Sequence, residues 1–172
     1  IDLLGGFNFE DANRLRQQVP ALKMRERTSV DGRGTPIFMR VDTAPFTDVR
    51  VRRAMMMGID YQSLLKDYRD GKGQIVTYPF ADTTDYHTLF LGLDDPDMPA
   101  STKELFSNNT DKAKQLLKEA GFPTGFKTSI LLSSTATGAI DYYSIIKDMW
   151  LKIGIDLTLD LKDSASVTNL NA

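Results

Sequence analysis

The sequence predicts a mixed α/β fold, an α+β roll-like lobe in which helices flank a mixed sheet. Apolar residues recur at the helical spacing of three and four residues in some segments, whereas other segments alternate apolar and polar residues as half-buried strands do. A strand, a helix and a second strand are predicted in succession over residues 126–161, which is the order of a βαβ unit. The 172 residues are 41% hydrophobic and 26% charged, so the chain can bury a sizeable core.

The N-terminal part is predicted to hold a helix and a hairpin. Asn8 can cap a first helix whose apolar stripe ends at Pro20. Residues 22–27 alternate apolar and polar side chains, and a turn sequence over residues 31–34 leads into a second strand-like run over residues 36–41. We therefore expect the two runs to pair as a hairpin.

Two helices are predicted next along the chain. Asp48 can cap a helix that extends to about Gly58, and Asp60 can start another that ends in the glycine-rich turn over residues 70–73. The positions of the first of these helices that are expected to face inward are Val51, Ala54, Met55 and Ile59. From residue 74 to about residue 109 the periodicity fades and prolines recur, which predicts a long loop that lines or covers something.

The C-terminal part has the clearest patterns. A helix after residue 110 is expected to stop at Gly121, and residues 126–132 are predicted to form a buried strand. A wide apolar stripe predicts a long helix that ends at Gly154, and its members are Tyr142, Ile145, Ile146, Met149, Trp150 and Ile153. Strict alternation then predicts a half-buried strand whose inward residues are Ile155, Leu157, Leu159 and Leu161.

Composition excludes several classes of function. The formal net charge is −2, so no global field favours nucleic acid as a partner. The absence of cysteine excludes disulfides, thiolate nucleophiles and cysteine-ligated metals. No apolar run approaches the roughly 18 residues that a membrane-spanning helix needs.

Catalytic and metal-binding patterns are weak. The one histidine, His87, has Asp82 and Asp85 nearby in the sequence, but a surface histidine in a loop is the more typical interpretation. An acidic cluster resembles a fragment of a calcium loop: Asp94, Asp95 and Asp97. Prolines interrupt that cluster, and the glycine and distal glutamate of an EF-hand are missing. The residues thus predict a non-enzymatic protein without a cofactor or a bound metal.

Three segments carry longer patterns in a fixed order. Residues 45–60 contain P-F-x-D-x-x-V-R-x-A, residues 110–122 contain D-K-A-K-x-L-L-x-x-A-G-F followed by Gly125 and Phe126, and residues 148–157 contain W-x-x-I-G-I. Together they resemble the family 5 extracellular solute-binding proteins, the dipeptide, oligopeptide and nickel receptors of ABC importers. Three positions depart from the family pattern. Val41 and Asp42 stand where the family usually has phenylalanine and asparagine, and Gly58 stands where it usually has alanine. Asp42 would put a charge near the cleft.

The resemblance implies a receptor of two lobes that closes around a small solute, such as a peptide, a nickel complex or a sugar, outside the cytoplasmic membrane. Such a receptor is periplasmic or extracellular, either free or lipid-anchored, and it delivers the solute to ABC permease subunits. Residues 1–172 would form a single domain that is most of the C-terminal lobe. The N-terminal lobe of the same chain would be missing, since both ends look like cuts inside a longer protein.

Candidate ligand-binding residues follow from the rule that ligands of open α/β sheets lie beyond the carboxyl ends of the strands. Two loops after predicted strands qualify: Asp42 and Thr43, and Ser133, Ser134, Thr135 and Thr137. The aromatic residues of the long loop are a third candidate, as stacking or lobe-contact groups: Tyr78, Phe80 and Tyr86. Helix capping is an alternative role for the hydroxyl-rich loop. Packing on its own domain is an alternative for the aromatic residues.

Two other functions stay open at this point. The aromatic stretch over residues 78–90 could contact a protein partner, which would make the chain a non-enzymatic intracellular interaction or regulatory module. An acid–base pair of His87 and Asp85 would make it an enzyme, although no substrate is suggested.

Overall fold

The computed structural model describes residues 9–24, 36–76 and 82–170. The chain divides into a smaller unit, Ile1–Gly34 with Gln62–Phe90, and a larger unit, Thr35–Tyr61 with Leu91–Ala172. The helices are α1 (Phe9–Gln18), α2 (Val49–Met57), α3 (Tyr61–Ser63), α4 (Ala100–Lys103), α5 (Thr110–Glu119), α6 (Thr137–Leu151) and α7 (Ser164–Leu170), and the strands are β1 (Phe126–Ser133) and β2 (Ile155–Lys162). Within the described ranges, no helix is long and apolar enough to cross a membrane.

The smaller unit contains α1 and a π-helical turn over Leu64–Tyr68. Helix α1 ends before Pro20 as predicted, whereas its proposed cap Asn8 lies outside the described residues. The π-helical turn continues α3, which confirms a helix after Asp60. It ends where Asp70 and Gly71 adopt left-handed conformations with φ of 56° and 70°.

The predicted hairpin is wrong wherever the structure describes it. Residues 22–24 and 36–41 form no strand, and the turn between them lies outside the described residues. The second run instead contacts α6, because the Tyr143 hydroxyl donates a 3.1 Å hydrogen bond to the Pro36 carbonyl. A turn closed by the Thr43 N–H and the Arg40 carbonyl, 3.0 Å apart, then leads towards α2.

The fold class is confirmed as mixed α/β by the sheet of the larger unit. Strands β1 and β2 pair in parallel from Phe126 opposite Ile155 to Ser133 opposite Lys162, with α6 between them in the sequence. Helix α6 packs against β2, and α7 packs against β1. The predicted βαβ unit is therefore present.

Burial along the two strands differs from the prediction in two places. Strand β1 was predicted to be buried, but Leu132 is its one buried residue and Ile130 is only half-buried. The reason is that the long helix α6 packs against β2, whereas the helix that packs against β1 is the short α7, which follows the carboxyl end of β2. In β2, Ile155 and Leu157 are buried as predicted, whereas Leu161 is 46% exposed because the apolar cover does not reach the carboxyl end.

The core of the larger unit lies where α2 packs against α5 and where α6 packs against β2. Asp48 caps α2 as predicted, since its Oδ1 accepts a 2.8 Å hydrogen bond from the Arg50 N–H. The four predicted inward residues of this segment are all buried, and Met57 is buried as well. The largest fully buried side chains are Trp150, Met55, Met57, Leu117, Ile146, Ile155, Leu157 and Val51.

Several residues of the three sequence motifs end helices or bring backbones together. Gly121, with φ of 92°, stops α5 as predicted, and the Phe122 N–H then donates to the Leu117 carbonyl at 2.8 Å. Gly125 and Gly154, which precede β1 and β2, also have positive φ and lie in direct contact. These motif residues therefore shape the fold at the amino end of the sheet.

The stretch predicted as one long loop contains short helical turns. Helix α4 is followed by a 3₁₀ turn over Glu104–Phe106, and another 3₁₀ turn spans His87–Leu89. Two contacts within the larger unit fix the position of the turn over Glu104–Phe106. The Arg53 guanidinium pairs with Glu104 at 3.0 Å, and the rings of Tyr61 and Phe106 lie 5.0 Å apart.

Candidate functional site

Three hydroxyl side chains meet at the carboxyl ends of β1 and β2. The Ser133 Oγ lies 2.8 Å from the Ser164 Oγ and 3.0 Å from the Thr135 Oγ1, and the third pair is 3.3 Å apart. All three side chains are accessible to solvent. We call Ser133, Thr135 and Ser164 the hydroxyl cluster.

The parallel pairing of the strands explains why these residues meet. Ser133 and Lys162 are the last partners of the ladder, so the loops that follow β1 and β2 leave the sheet side by side. The Ser134 N–H extends this junction by donating a 2.7 Å hydrogen bond to the Lys162 carbonyl. The predicted residues Ser133 and Thr135 are therefore joined by Ser164, 31 residues further along the chain from Ser133, which the sequence prediction missed.

The alternative role of helix capping is wrong for this loop. The N-cap of α6 is Ala136, and no side chain makes a capping hydrogen bond there. Thr137 is the first residue of α6 and is exposed. The hydroxyl groups of Ser133 and Thr135 thus bond to one another and to Ser164 instead of to the helix amides.

One carboxylate lies beside the hydroxyl cluster in the sequence. Asp163 accepts hydrogen bonds from the Ser166 hydroxyl at 2.6 Å and from the Ser166 N–H at 3.0 Å, and these bonds hold the pKa of its carboxyl below the usual range. Lys162 is paired with Asp160 at 3.1 Å. The cluster can therefore donate and accept hydrogen bonds, and it sits next to a carboxylate that stays ionised at neutral pH.

Asp42 is exposed, but its charge is paired. The Arg40 guanidinium donates to both carboxylate oxygens, at 3.1 and 2.8 Å, and the Thr43 hydroxyl donates to one of them at 3.5 Å. These contacts hold the pKa of Asp42 below its usual range. The charge expected at Asp42 is therefore present, and the charge of Arg40 compensates for it.

No contact among the described residues joins Thr43 to the hydroxyl cluster. The turn after Thr43 leads to Phe46, whose ring packs edge-on against Phe126 at 6.2 Å. Phe126 is the first residue of β1, whereas Ser133 is the last, about 23 Å away at a rise of about 3.3 Å per residue. The two predicted loops are thus fixed to different ends of the same strand.

The aromatic candidates belong to the smaller unit. Tyr78 and Phe80 lie outside the described residues. Tyr86 is half-buried, and its N–H donates a 3.0 Å hydrogen bond to the Thr83 carbonyl. This bond fixes the backbone that leads into the 3₁₀ turn at His87.

His87 pairs with Asp82 and not with the Asp85 that the enzyme hypothesis used. Its Nδ1 lies 2.6 Å from the Asp82 Oδ1. The backbone of Asp82 is itself held by Gln74, which donates to its carbonyl at 2.9 Å and accepts from its N–H at 2.8 Å. In the described part of the chain, no group of three or more histidine, aspartate or glutamate side chains is placed to hold a metal ion.

The pairing of His87 predicts its titration. The Asp82 carboxylate raises the pKa of His87, so the charged pair stabilises the fold below the usual histidine pKa, and this stabilisation is lost as the pH rises through the raised value. Because His87 is the one histidine, an NMR titration follows it directly. We expect Asp82→Asn to lower the His87 pKa towards its usual range and the matched control Asp85→Asn to leave it raised. The reverse pattern would assign the pairing to Asp85.

The family model described as "Bacterial extracellular solute-binding proteins, family 5 Middle" matches residues 1–172. The chain belongs to the family 5 extracellular solute-binding proteins. Its membership confirms the resemblance drawn from the three sequence motifs. The members of this family are solute-binding proteins.

Two curated relatives and one solved structure illustrate the range of the family. The glutathione-binding protein GsiB of Pectobacterium atrosepticum is 27% identical over 128 residues, which cover 74% of this chain and 22% of that protein. Heme-binding protein A of Haemophilus influenzae is 27% identical over 125 residues, 69% of this chain and 20% of that protein. The structure of Haemophilus influenzae OppA in complex with the peptide RPPGFSPFR matches with a TM-score of 0.60 and 25% identity, over 76% of this chain and 25% of that one.

The chain therefore spans about a fifth of the length of the curated relatives that it matches. A family 5 receptor of that length has most of its residues outside this chain.

Proposed function

We propose that this chain is part of the substrate-binding component of an ABC importer, which captures a peptide-like or other small solute outside the cytoplasmic membrane. The observation that carries the proposal is the family match over residues 1–172. In this proposal the chain is not an enzyme, and it forms most of the C-terminal lobe. The family's description as extracellular favours this function over an intracellular interaction module.

The proposed mechanism is closure around the solute. A solute that contacts two lobes binds the closed form better than the open form, so it shifts the equilibrium towards closure. The closed receptor then delivers the solute to the permease subunits of the importer. We place the receptor in the periplasm or at the outer face of the cytoplasmic membrane, free or held by a lipid anchor.

The hydroxyl cluster is the part of this chain that we propose contacts the solute, together with the exposed Ser134 and Thr137 beside it. Its position at the carboxyl ends of parallel strands is where open α/β sheets bind ligands. Hydroxyl groups that both donate and accept suit amide and carboxylate groups, which peptide-like solutes carry. Asp42, Thr43 and Tyr86 remain proposed contacts, as do Tyr78 and Phe80.

A thermal-shift screen of the full-length receptor tests the proposed function. Dipeptides, oligopeptides, sugars and metal chelates are added separately, and a true solute stabilises the folded state by about 2.7 kcal/mol at a hundredfold excess over its Kd. We expect a clear rise in Tm for one solute class. The proposal fails if none of these classes raises the Tm of a receptor that unfolds cooperatively.

The same receptor tests the hydroxyl cluster once a solute is known. Because a hydrogen bond contributes about 0.5–1.5 kcal/mol, we expect Ser133→Ala with Thr135→Ala to weaken solute binding about twofold to twelvefold for each bond lost. Ser129→Ala is the matched control, since Ser129 is exposed in the middle of β1. Equal affinities of the double variant and the control, measured by calorimetry, would remove the cluster from the site.

A further inference from the structure

An exposed patch precedes α2 in the sequence of the larger unit. Phe38 is 89% exposed and Val41 is 59% exposed, while the side chains of Arg40 and Asp42 are 76% and 65% exposed. We call these four residues the Phe38 patch. No other large hydrophobic side chain in the described part of the chain is as exposed as Phe38.

Contacts within the larger unit fix both ends of the segment that carries the Phe38 patch. The hydroxyl of Tyr143, a residue that is 7% exposed, donates to the Pro36 carbonyl at one end of the segment. At the other end the Thr43 N–H closes a turn on the Arg40 carbonyl, and Arg40 pairs with Asp42 at 2.8 Å. An exposed phenylalanine two residues from an arginine, on a backbone fixed at both ends, has the composition found at the centres of protein contacts.

The backbone of the same segment is suited to pair with a strand. The exposed Phe38 lies between the half-buried Ile37 and Met39, and this alternation is typical of a strand with one covered face. Residues 37–39 nevertheless form no hydrogen bond to any other described residue. Backbone N–H and C=O groups that become buried are almost always paired. A strand that covered residues 37–39 would therefore also supply hydrogen-bond partners for their backbone groups.

We infer that the Phe38 patch is the docking surface for a strand of the receptor's own remaining chain, which pairs with residues 37–39 and covers Phe38. The inference rests on the proposed function, and the 22% coverage of the GsiB relative leaves ample receptor chain to supply the strand. A solute or a permease would contact the patch only part of the time. A soluble receptor that kept an anchored phenylalanine uncovered between such encounters would risk aggregation, so a permanent cover from its own chain fits better.

Thiol labelling of the full-length receptor, with any cysteine outside residues 1–172 first replaced by serine, tests the inference, because residues 1–172 themselves contain no cysteine. Phe38→Cys is compared with Lys114→Cys, which is exposed on the polar side of α5. Without solute or permease, we expect a maleimide to react at least tenfold more slowly at position 38 than at position 114. Both positions should react at one rate in urea.

Equal rates in the folded receptor would overturn the inference. Protection of position 38 that requires added solute or permease would also overturn it, since it would assign the patch to that occupant. If Phe38→Cys does not fold, amide hydrogen exchange of residues 37–39 in the unaltered receptor decides: slow exchange supports the strand, and unprotected exchange excludes it. The labelling uses no solute, so its result does not depend on the thermal-shift screen. Equal labelling rates would contradict the strand over Phe38 alone, and a screen without a rise in Tm would contradict the proposed function alone.

Discussion

Trp150→Ala is expected to lower the free energy of unfolding by about 3–5 kcal/mol, the usual cost of truncating a large buried aromatic residue. Trp150 is 1% exposed, and its Nε1 donates a 2.8 Å hydrogen bond to the Met55 carbonyl. Leu151→Ala is the matched control, because the neighbouring Leu151 is 59% exposed and its truncation should cost far less. Urea denaturation followed by far-UV circular dichroism measures both variants, since Trp150 is the one tryptophan and cannot serve as the fluorescent probe.

The hydrogen bond of Trp150 satisfies the end of a helix. Met55 belongs to the last turn of α2, where backbone carbonyls lack helical partners, and the Ile59 N–H donates to the Met56 carbonyl instead. Trp150→Phe keeps an aromatic ring but removes the donor, so it should cost about 1–3 kcal/mol from the unsatisfied carbonyl. A phenylalanine variant as stable as the original chain would show that this bond contributes nothing.

Helices could be predicted from the sequence because their signals are local. The cap at Asp48 acts on the N–H of Arg50, and the stop at Gly121 depends on its own backbone conformation. The parallel pair of strands was also predictable, since a helix with a wide apolar stripe separates two strand-like segments. Each of these signals lies within a few residues of the element that it sets.

The hairpin failed because a strand needs a partner that its own sequence does not name. Residues 36–41 have a strand pattern, yet their described contacts are the hydroxyl of Tyr143 and a turn. Burial of β1 failed for the same reason, because the pattern over Ile130 and Leu132 suits a strand covered on both sides. The sequence pattern thus indicated that these segments can form strands. Whether they pair and how far they are buried depends on the elements packed against them.

The candidate site was predictable in part. Ser133 and Thr135 follow from the rule for strand ends, but Ser164 joins them only once the pairing of β1 with β2 is known. The partner of Asp42 could have been found earlier, since Arg40 is two residues away and such a pair can form locally. A contact between residues close in the sequence, such as Arg40 and Asp42, could therefore be predicted. A contact between distant residues, such as Ser133 and Ser164, could not.

Gly125→Ala is the second large effect that we expect, a loss of about 1–3 kcal/mol beyond the cost of a positive φ alone, because this is the typical cost of overpacking. A Cβ at position 125 would overlap the carbonyl oxygen of Gly154, which is backbone and cannot rotate away. The two glycines immediately precede the first partners of the ladder, Phe126 and Ile155. Relief of the overlap would therefore separate the strands at the amino end of the sheet.

Gly121→Ala isolates the conformational part of this cost. Gly121 has φ of 92° and Gly125 has φ of 80°, but a Cβ at position 121 meets no atom within 4 Å. The control should lose only about 1–2 kcal/mol, the cost of a left-handed conformation for a residue with a side chain. Urea denaturation of both variants gives the comparison. Equal losses would mean that the contact between residues 125 and 154 is not tight, and a larger loss at position 125 alone would assign the motif glycines to the close approach that starts the parallel sheet.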